Sequence, residues 1–372
     1  MSTSNHAAGE KTTRQKYLDA LHCRPVDGWV WAPNFDYWLH YHTRAGTLPE
    51  KYRGMSRNDI VRAVGGAIWN RCWALRTTHD PSVKIRRYAT SDGHAVEYET
   101  PAGTVREAWR AAENEFATPF MCEHRLKSAD DFPAVQYLAE AACHEGQRES
   151  VERAAAETGD DGVLVASNFC VPFIQFAKTD AGYLNAYYLL EDEPARVARL
   201  LEAYTRSFLR ACGELARLPV DIIATTDNMD GRTISPRLFK EHAVPFYREA
   251  QKIAHAGGKL LEGHWCGLTE TLLGHVPGSG LDVVEAIVTE PMAPVSLAGA
   301  LDRLRGEVAL QGGIPSVLVC EQGGTRDDFE RYIAETLLPL KGRKGFVLGM
   351  SDNVPPDADF ARVEAVAAKL EK

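Results

Sequence analysis

Glu262, His264 and Cys266 stand two residues apart in "KLLEGHWCGL" (259–268), directly after a short apolar run. On a β-strand, residues i and i+2 share a face, so this spacing can aim all three side chains at one point. Thiolate and imidazole are the ligands zinc prefers, and a catalytic zinc takes three protein ligands and keeps one position open. His264 and Cys266 would supply two of them, with Glu262 one step deeper, and a further ligand would have to come from another strand. The alternative is a hydrogen-bonded core histidine and a small cysteine opening the next segment, because two-residue matches arise often by chance.

Other polar residues also close apolar runs: Asn34 with Asp36, Asn168, Asp227 with Asn228 and Asp230, Glu285, and Asp352 with Asn353. Carboxylates gathered at one place repel each other unless a cation or hydrogen-bond donors compensate them, which again points to a metal. In "TTDNMDG", Asp227 and Asp230 are candidate acid/base groups, although Asp230 with Gly231 could equally make a turn. His40 and His42 have ligand-like spacing but read as a surface pair. Cys320 reads as a buried structural thiol, and His255 as a helix C-terminal residue favoured by the helix dipole. The aromatics Trp29, Trp31, Phe35, Tyr37, Trp38 and Tyr41, with Phe169, Phe173 and Phe176, could line a pocket for a flat or apolar substrate. Taken one at a time, plain core packing explains each of them.

These residues need a scaffold, and the chain supplies one. Seven apolar runs read as strands: 28–35, 162–168, 221–228, 258–265, 281–288, 307–314 and 345–352. Helical periodicity fills 195–218, 235–258 and 325–340, the second opening on Ser235 as N-cap with Pro236 at the first helical position and ending at Gly257. Strands alternating with helices imply right-handed crossovers and a parallel sheet. The repeat number favours a closed (β/α)8 TIM barrel with one short or irregular strand, preceded by an N-terminal helical extension, over an open sheet. Residues 83–109 break the alternation with period-two stretches joined by Ser-Asp-Gly and Pro-Ala-Gly, and read as an inserted β meander. No linker or low-complexity tract divides the chain, so residues 1–372 are taken as one domain. In a barrel of this kind the strand ends carry the chemistry.

Composition narrows the function classes. A chain with 45% hydrophobic and 25% charged residues is globular. A formal net charge of -9 and no basic stripe argue against nucleic acid. No run approaches a membrane span, which leads to the expectation of a soluble, cytoplasmic protein. The eight cysteines form no CxxC pair and no disulfide framework.

The stretches "DGRTISPRLFKEHAVPFYREAQKIAHAGGKLLEGHWCG", "LQGGIPS" and "GFVLGMSDNVPPDADFARVEAV" resemble the uroporphyrinogen decarboxylase superfamily from about residue 160 to the C-terminus. The resemblance implies a (β/α)8 barrel. One branch of that superfamily is metal-free and carries an Arg-rich N-terminal motif that "HTRAGTLPEKYRGM" (42–55) echoes faintly; the other, the corrinoid-dependent methyltransferases, carries an HxC zinc motif that "GHWCG" matches. Thiol methyltransferases of this branch add a Cys at the last strand end, where this chain reads "GMSDN". Asp352, Glu262 or Cys320 must then complete the set, and a carboxylate makes zinc a harder Lewis acid, suited to oxygen more than to thiols.

The resemblance thus implies a zinc-dependent methyltransferase that demethylates a small methylated compound, with an aryl methyl ether as best guess. The methyl group passes to the cobalamin of a separate corrinoid-binding protein, no nucleic acid or membrane takes part, and the assembly entertained is a homodimer. Asp227, Asp230 and Asn168 are the expected catalytic groups; Trp31, Asn34, Phe35, Tyr37, Phe173 and Glu285 the expected substrate contacts; His264, Cys266, Glu262 and Asp352 the expected metal ligands. The alternative readings are a metal-free decarboxylase of the same fold and a binding protein that has lost catalysis.

Overall fold

The computed structural model describes residues 11–111 and 119–371, apart from the side chain of Asn168. Its strands are β1 (Ile68–Cys72), β2 (Leu75–His79), β3 (Lys84–Thr90), β4 (Gly93–Thr100), β5 (Gly103–Arg110), β6 (Phe120–Glu123), β7 (Ala142–Gly146), β8 (Gly162–Phe169), β9 (Ile222–Thr225), β10 (Leu260–His264), β11 (Val283–Ile287), β12 (Ala309–Ile314) and β13 (Phe346–Met350). A seven-stranded parallel sheet runs in the order β1-β8-β9-β10-β11-β12-β13, with neighbours in space following chain order.

The sheet curls strongly. Trp69 on β1 and Val347 on β13, at opposite edges, belong to one buried cluster with Val163, Val165, Ile222, Ala224, Leu260, Val283 and Ala309. Alternate residues such as Leu164, Ile223, Leu261, Val284, Leu310 and Leu348 join the other cluster, which packs under the helices. Inward and outward faces are both apolar, as a parallel sheet covered by helices requires.

Six of the seven expected strands lie where the sequence places them. The exception is instructive: residues 28–35 form only an isolated bridge, Trp31 with Leu348, and the first strand of the sheet is Ile68–Cys72 instead. Pro33 has no N–H to give to a ladder, which limits pairing beyond residue 32. The short segment still bonds to the edge strand, since Leu348 N–H donates to the Val30 carbonyl and Ala32 N–H to that of Leu348. On its other side Ala67 N–H donates to the Trp31 carbonyl, just before β1.

The helices form for local reasons. Ser235 accepts from Leu238 N–H and Pro236 follows it, opening helical turns that run on to Ala256 with Gly257 at the C-cap. The helix Pro194–Ala216 buries Val197, Leu200, Ala203, Tyr204, Ser207, Ala211, Cys212 and Leu215, a stripe spaced three to four residues apart. The helix Thr13–Leu21, closed by a Thr12/Gln15 capping box, sends Tyr17 into the concave cluster, where its hydroxyl donates to Gln311 Oε1 at 2.7 Å.

The expected meander is a four-stranded antiparallel sheet, β3-β4-β5-β6, one strand longer than its sequence pattern suggests. It packs against the helix Phe132–Glu140, and β2 pairs with β7 beside it. No helix is long and apolar enough to cross a membrane.

A candidate metal centre at the C-terminal strand ends

Strand alternation along β10 points Leu260, Glu262 and His264 to the concave side, with Leu260 in the buried cluster. The chain then turns. Trp265 is fully buried, its N–H donating to the Glu285 carbonyl at 2.9 Å and its indole N–H to the Tyr247 hydroxyl at 3.4 Å. A side chain at Gly263 would meet the Trp265 ring at 2.8 Å, so glycine is what lets the indole tuck beneath the strand. With Trp265 anchored, Cys266 emerges past the end of β10.

β11 lies beside β10 with Glu285 in register with His264. A bulge follows at Ala286, held at φ +66°, where the pairing with β12 slips by one residue. Glu285 is buried, and its Oε2 lies 2.5 Å from His264 Nδ1. A carboxylate on Nδ1 fixes the ring and leaves Nε2 to face outward. Burial alone would lower the pKa of the imidazole, but Glu285 first, then Cys266, lift it to about 11.

The third residue arrives from the far edge of the sheet. Asp352 follows β13 at φ +139°, a conformation L-residues rarely adopt. Asn34 Nδ2 donates to the Asp352 carbonyl at 2.9 Å, Asn34 C=O accepts from Val354 N–H, and Asn353 Oδ1 accepts from Tyr37 N–H at 3.0 Å. The segment after Trp31 thus staples the Asp352 turn in place. Burial and the Glu285 charge raise the Asp352 carboxyl pKa, against His264 and Arg71.

His264, Cys266 and Asp352 offer one ligand atom each, all within 4.8 Å of one another, and all three residues are half-buried. Ligands on one zinc stand about 3.3–3.8 Å apart given its usual bond lengths, so small side-chain adjustments would close the set. One nitrogen, one sulfur, one oxygen and an outer carboxylate on the histidine fit a zinc centre with an open position.

The remaining candidates separate by location. Glu262 is 1% exposed and outside this cluster of ligand atoms; its Oε2 has no partner among the described residues, and burial, then Glu285, hold its carboxyl up at about 8. Cys320 is buried elsewhere, its thiol donating to the Ser316 carbonyl. Asp227 has no exposed surface and accepts from Val171 N–H, the Thr225 hydroxyl and the Tyr247 hydroxyl at 2.8, 2.6 and 2.5 Å. It ties the β8 and β9 ends to the helix that also anchors Trp265, a bracing position rather than one lining open space. Asp230 makes the turn that was its alternative, accepting from Arg232 N–H. The Asn168 side chain lies outside the described residues.

Most expected substrate aromatics are core. Phe35 is fully buried against Phe360, and Phe173 is 2% exposed and stacked on His242. Trp31 faces the outer cluster and lines a 560 Å³ cleft with Thr13 and Lys341. Tyr37, by contrast, is 54% exposed. Residue type cannot tell lining from packing, and here packing holds three of the four.

Sequence reasoning missed Arg71. It lies two residues after the inward-facing Trp69, with its guanidinium 5.0 Å from that ring's centroid, and it is exposed although it sits on a sheet strand. The signal lies in "AIWNRCW", where Asn70 and Arg71 interrupt the apolar run and mask its strand character.

The uroporphyrinogen decarboxylase (URO-D) family model matches residues 119–372. Among solved structures, a methyltransferase from Methanosarcina mazei superposes with a TM-score of 0.60 at 15% identity, over 97% of this chain and 99% of that one. An endoglucanase from Bacteroides salanitronis follows at a TM-score of 0.43 and 9% identity, covering 100% and 98% of the two chains. A D-psicose 3-epimerase from Clostridium cellulolyticum H10 has a TM-score of 0.38 at 14% identity over 60% and 82%. The search of curated proteins by sequence finds no match.

Proposed function

The chain belongs to the uroporphyrinogen decarboxylase family, and on that premise we propose that it is the substrate-side methyltransferase of a corrinoid system, working with zinc on His264, Cys266 and Asp352. The observation that carries this reading is the convergence of those three ligand atoms within 4.8 Å at the strand ends, with Glu285 behind the histidine. The Methanosarcina mazei methyltransferase shares the fold and keeps the reading in view. We further take residues 30–32 as the eighth strand that closes a single-domain (β/α)8 barrel between β13 and β1.

When bound, zinc would supply Lewis acidity toward an oxygen of the substrate. The protein's own groups do the rest. Glu285 holds the imidazole with Nε2 toward the mouth, Asn34 holds the Asp352 turn, and Trp265 sets the spacing between His264 and Cys266. Asp352 in place of a third thiolate fits an oxygen leaving group, hence an aryl methyl ether as methyl donor.

The methyl acceptor would dock on the same end. Exposed Tyr37, Trp73, Leu184, Tyr188 and Met292 all lie in connections that leave C-terminal strand ends, giving the rim apolar contacts for a corrinoid-binding protein. Eight free cysteines suit a reducing, cytoplasmic setting.

Metal analysis of the purified protein tests the centre: about one zinc per chain in wild type, lost in His264→Ala and in Cys266→Ala. A folded wild type that takes up no zinc on reconstitution sinks the reading. Methyl transfer from methoxyaromatics to a corrinoid acceptor, absent in both variants, then tests the reaction.

A further inference from the structure

Among the described residues, Arg71 stands out as an exposed cation on the concave side of the strand ends. Its position follows from alternation: Trp69, two residues earlier on β1, belongs to the concave cluster, so Arg71 points the same way one step nearer the mouth. Residues 30–32 link β1 to β13, Ala67 N–H donating to the Trp31 carbonyl and Leu348 N–H to that of Val30, so Arg71 at the end of β1 and Asp352 after β13 stand at the same end of the sheet, on either side of this segment. Yet among the described residues no carboxylate comes within ion-pair distance and no acceptor takes its protons; only the Trp69 ring touches it, at 5.0 Å from the centroid.

The contrast with two other arginines of the chain is informative. Arg57 is paired with Asp36 at 2.6 Å, and Arg125 with Asp180 and Glu107. Those guanidiniums have structural partners in the fold. Arg71 is a planar fork of five donors laid over an indole and exposed at the end of β1, while His264 is engaged with Glu285 and Asp352 belongs to the ligand cluster. An arginine retained only to offset Glu262 and Asp352 would be expected to close on one of them.

We propose that Arg71 receives a carboxylate of the substrate, so that the methyl donor is an anionic aromatic ether of the methoxybenzoate type, its ether oxygen at the metal centre and its carboxylate on the guanidinium. This rests on the methyl-transfer reading above for the identity of the other end of the molecule. The carboxylate would take the bidentate geometry that guanidinium favours, and Trp69 beneath keeps the fork flat and pre-oriented.

Titration calorimetry with benzoate, 4-methoxybenzoate and neutral 4-methoxybenzyl alcohol tests it, on zinc-loaded and zinc-free protein. Wild type is expected to bind both anions about tenfold or more tightly than the alcohol, and less tightly as salt rises. Arg71→Ala should erase that preference while zinc content and melting temperature stay put, and Arg71→Lys should keep part of it as a point charge. Equal affinity for the alcohol, an anion preference that survives in Arg71→Ala because the carboxylate sits elsewhere, or no binding of either anion each overturns the proposal. Anions bound through Arg71 with no methyl transferred from any methoxybenzoate would instead remove the methyl-transfer reading and leave the anion site. Methoxybenzoates demethylated equally well by wild type and Arg71→Ala would do the reverse.

Discussion

Leu260 and His264 lie on the same strand and the same face, four residues apart, and belong to two different worlds. Below, at the N-terminal half of the sheet, Leu260 packs with Ile222, Val283, Ala309, Val347 and the ring of Tyr17. Above, His264, Glu262, Glu285, Asp352 and Arg71 crowd charge and titratable groups together. The lower half lowers the free energy of folding, by about 25 cal/mol for each Å² of apolar surface it buries. The upper half works against folding: a buried acid with one oxygen unpartnered among the described residues, carboxyls pushed up by burial and by the Glu285 charge, and a backbone turn at φ +139°. Parallel strands place these halves in series, so the core that pays for the mouth is the same piece of chain that positions it.

The sharpest way to separate the halves is to damage the lower one. Ile222 is fully buried in the concave cluster, between Val165 and Leu260 in the strand register. Ile222→Ala should cost about 2–5 kcal/mol of stability in urea denaturation of the metal-free protein. Zinc affinity of the folded variant should match wild type. A comparable loss of zinc affinity would mean that the mouth has no independent geometry, and the comparison would collapse.

Glu285→Gln acts on the upper half alone. It keeps the size of the side chain and a hydrogen-bonding oxygen but removes the charge that holds His264 Nδ1. Zinc affinity measured by chelator competition should fall about 10- to 100-fold. Stability of the metal-free chain should change far less than in Ile222→Ala. An unchanged affinity would show that Glu285 answers to packing and not to the metal position.

Asp352→Gly turns the comparison into opposite signs. Glycine adopts positive φ without penalty, so relief of strain should outweigh its entropic cost and raise stability by about 1 kcal/mol. The same change deletes a candidate ligand, so zinc affinity should drop. Loss of both together would refute the idea that this turn stores strain on behalf of the site.

How much of this was readable beforehand follows from how local each feature is. β10 and its HxC, the Ser235 cap and the meander hairpins are written in consecutive residues, and the structure places them as expected. β1 escaped notice because Asn70 and Arg71 break its apolar character, whereas 28–35 looked like a strand and is stopped by Pro33. The meeting of Asp352 with His264 spans 88 residues of chain in the numbering and depends on sheet curvature that no single segment records. Phe35 and Phe173 were indistinguishable from pocket residues until their neighbours, Phe360 and His242, were known.

The smallest expected effect tests whether acid sensitivity belongs only to the mouth. His144, on β7, bridges to the Thr77 hydroxyl of β2 and the Ser207 hydroxyl of the helix Pro194–Ala216, each at 3.0 Å. Burial first, then the charges of Arg210 and His79, lower its pKa to about 4 from an ordinary 6.5. The unfolded chain therefore takes up a proton near pH 6.5 that the folded chain refuses until about pH 4, so stability falls as pH drops through that window and is level on either side. Solvent around this half-exposed ring screens the effect and makes it the weakest of the four. His144→Gln keeps a polar side chain at the same place and cannot titrate, so its stability in urea should decline less between pH 6.5 and 4 than that of wild type, both without zinc. Parallel curves would assign the acid lability of the metal-free protein to other groups, the crowded carboxyls and imidazole of the mouth among them, and with it the whole electrostatic cost to one end of the sheet.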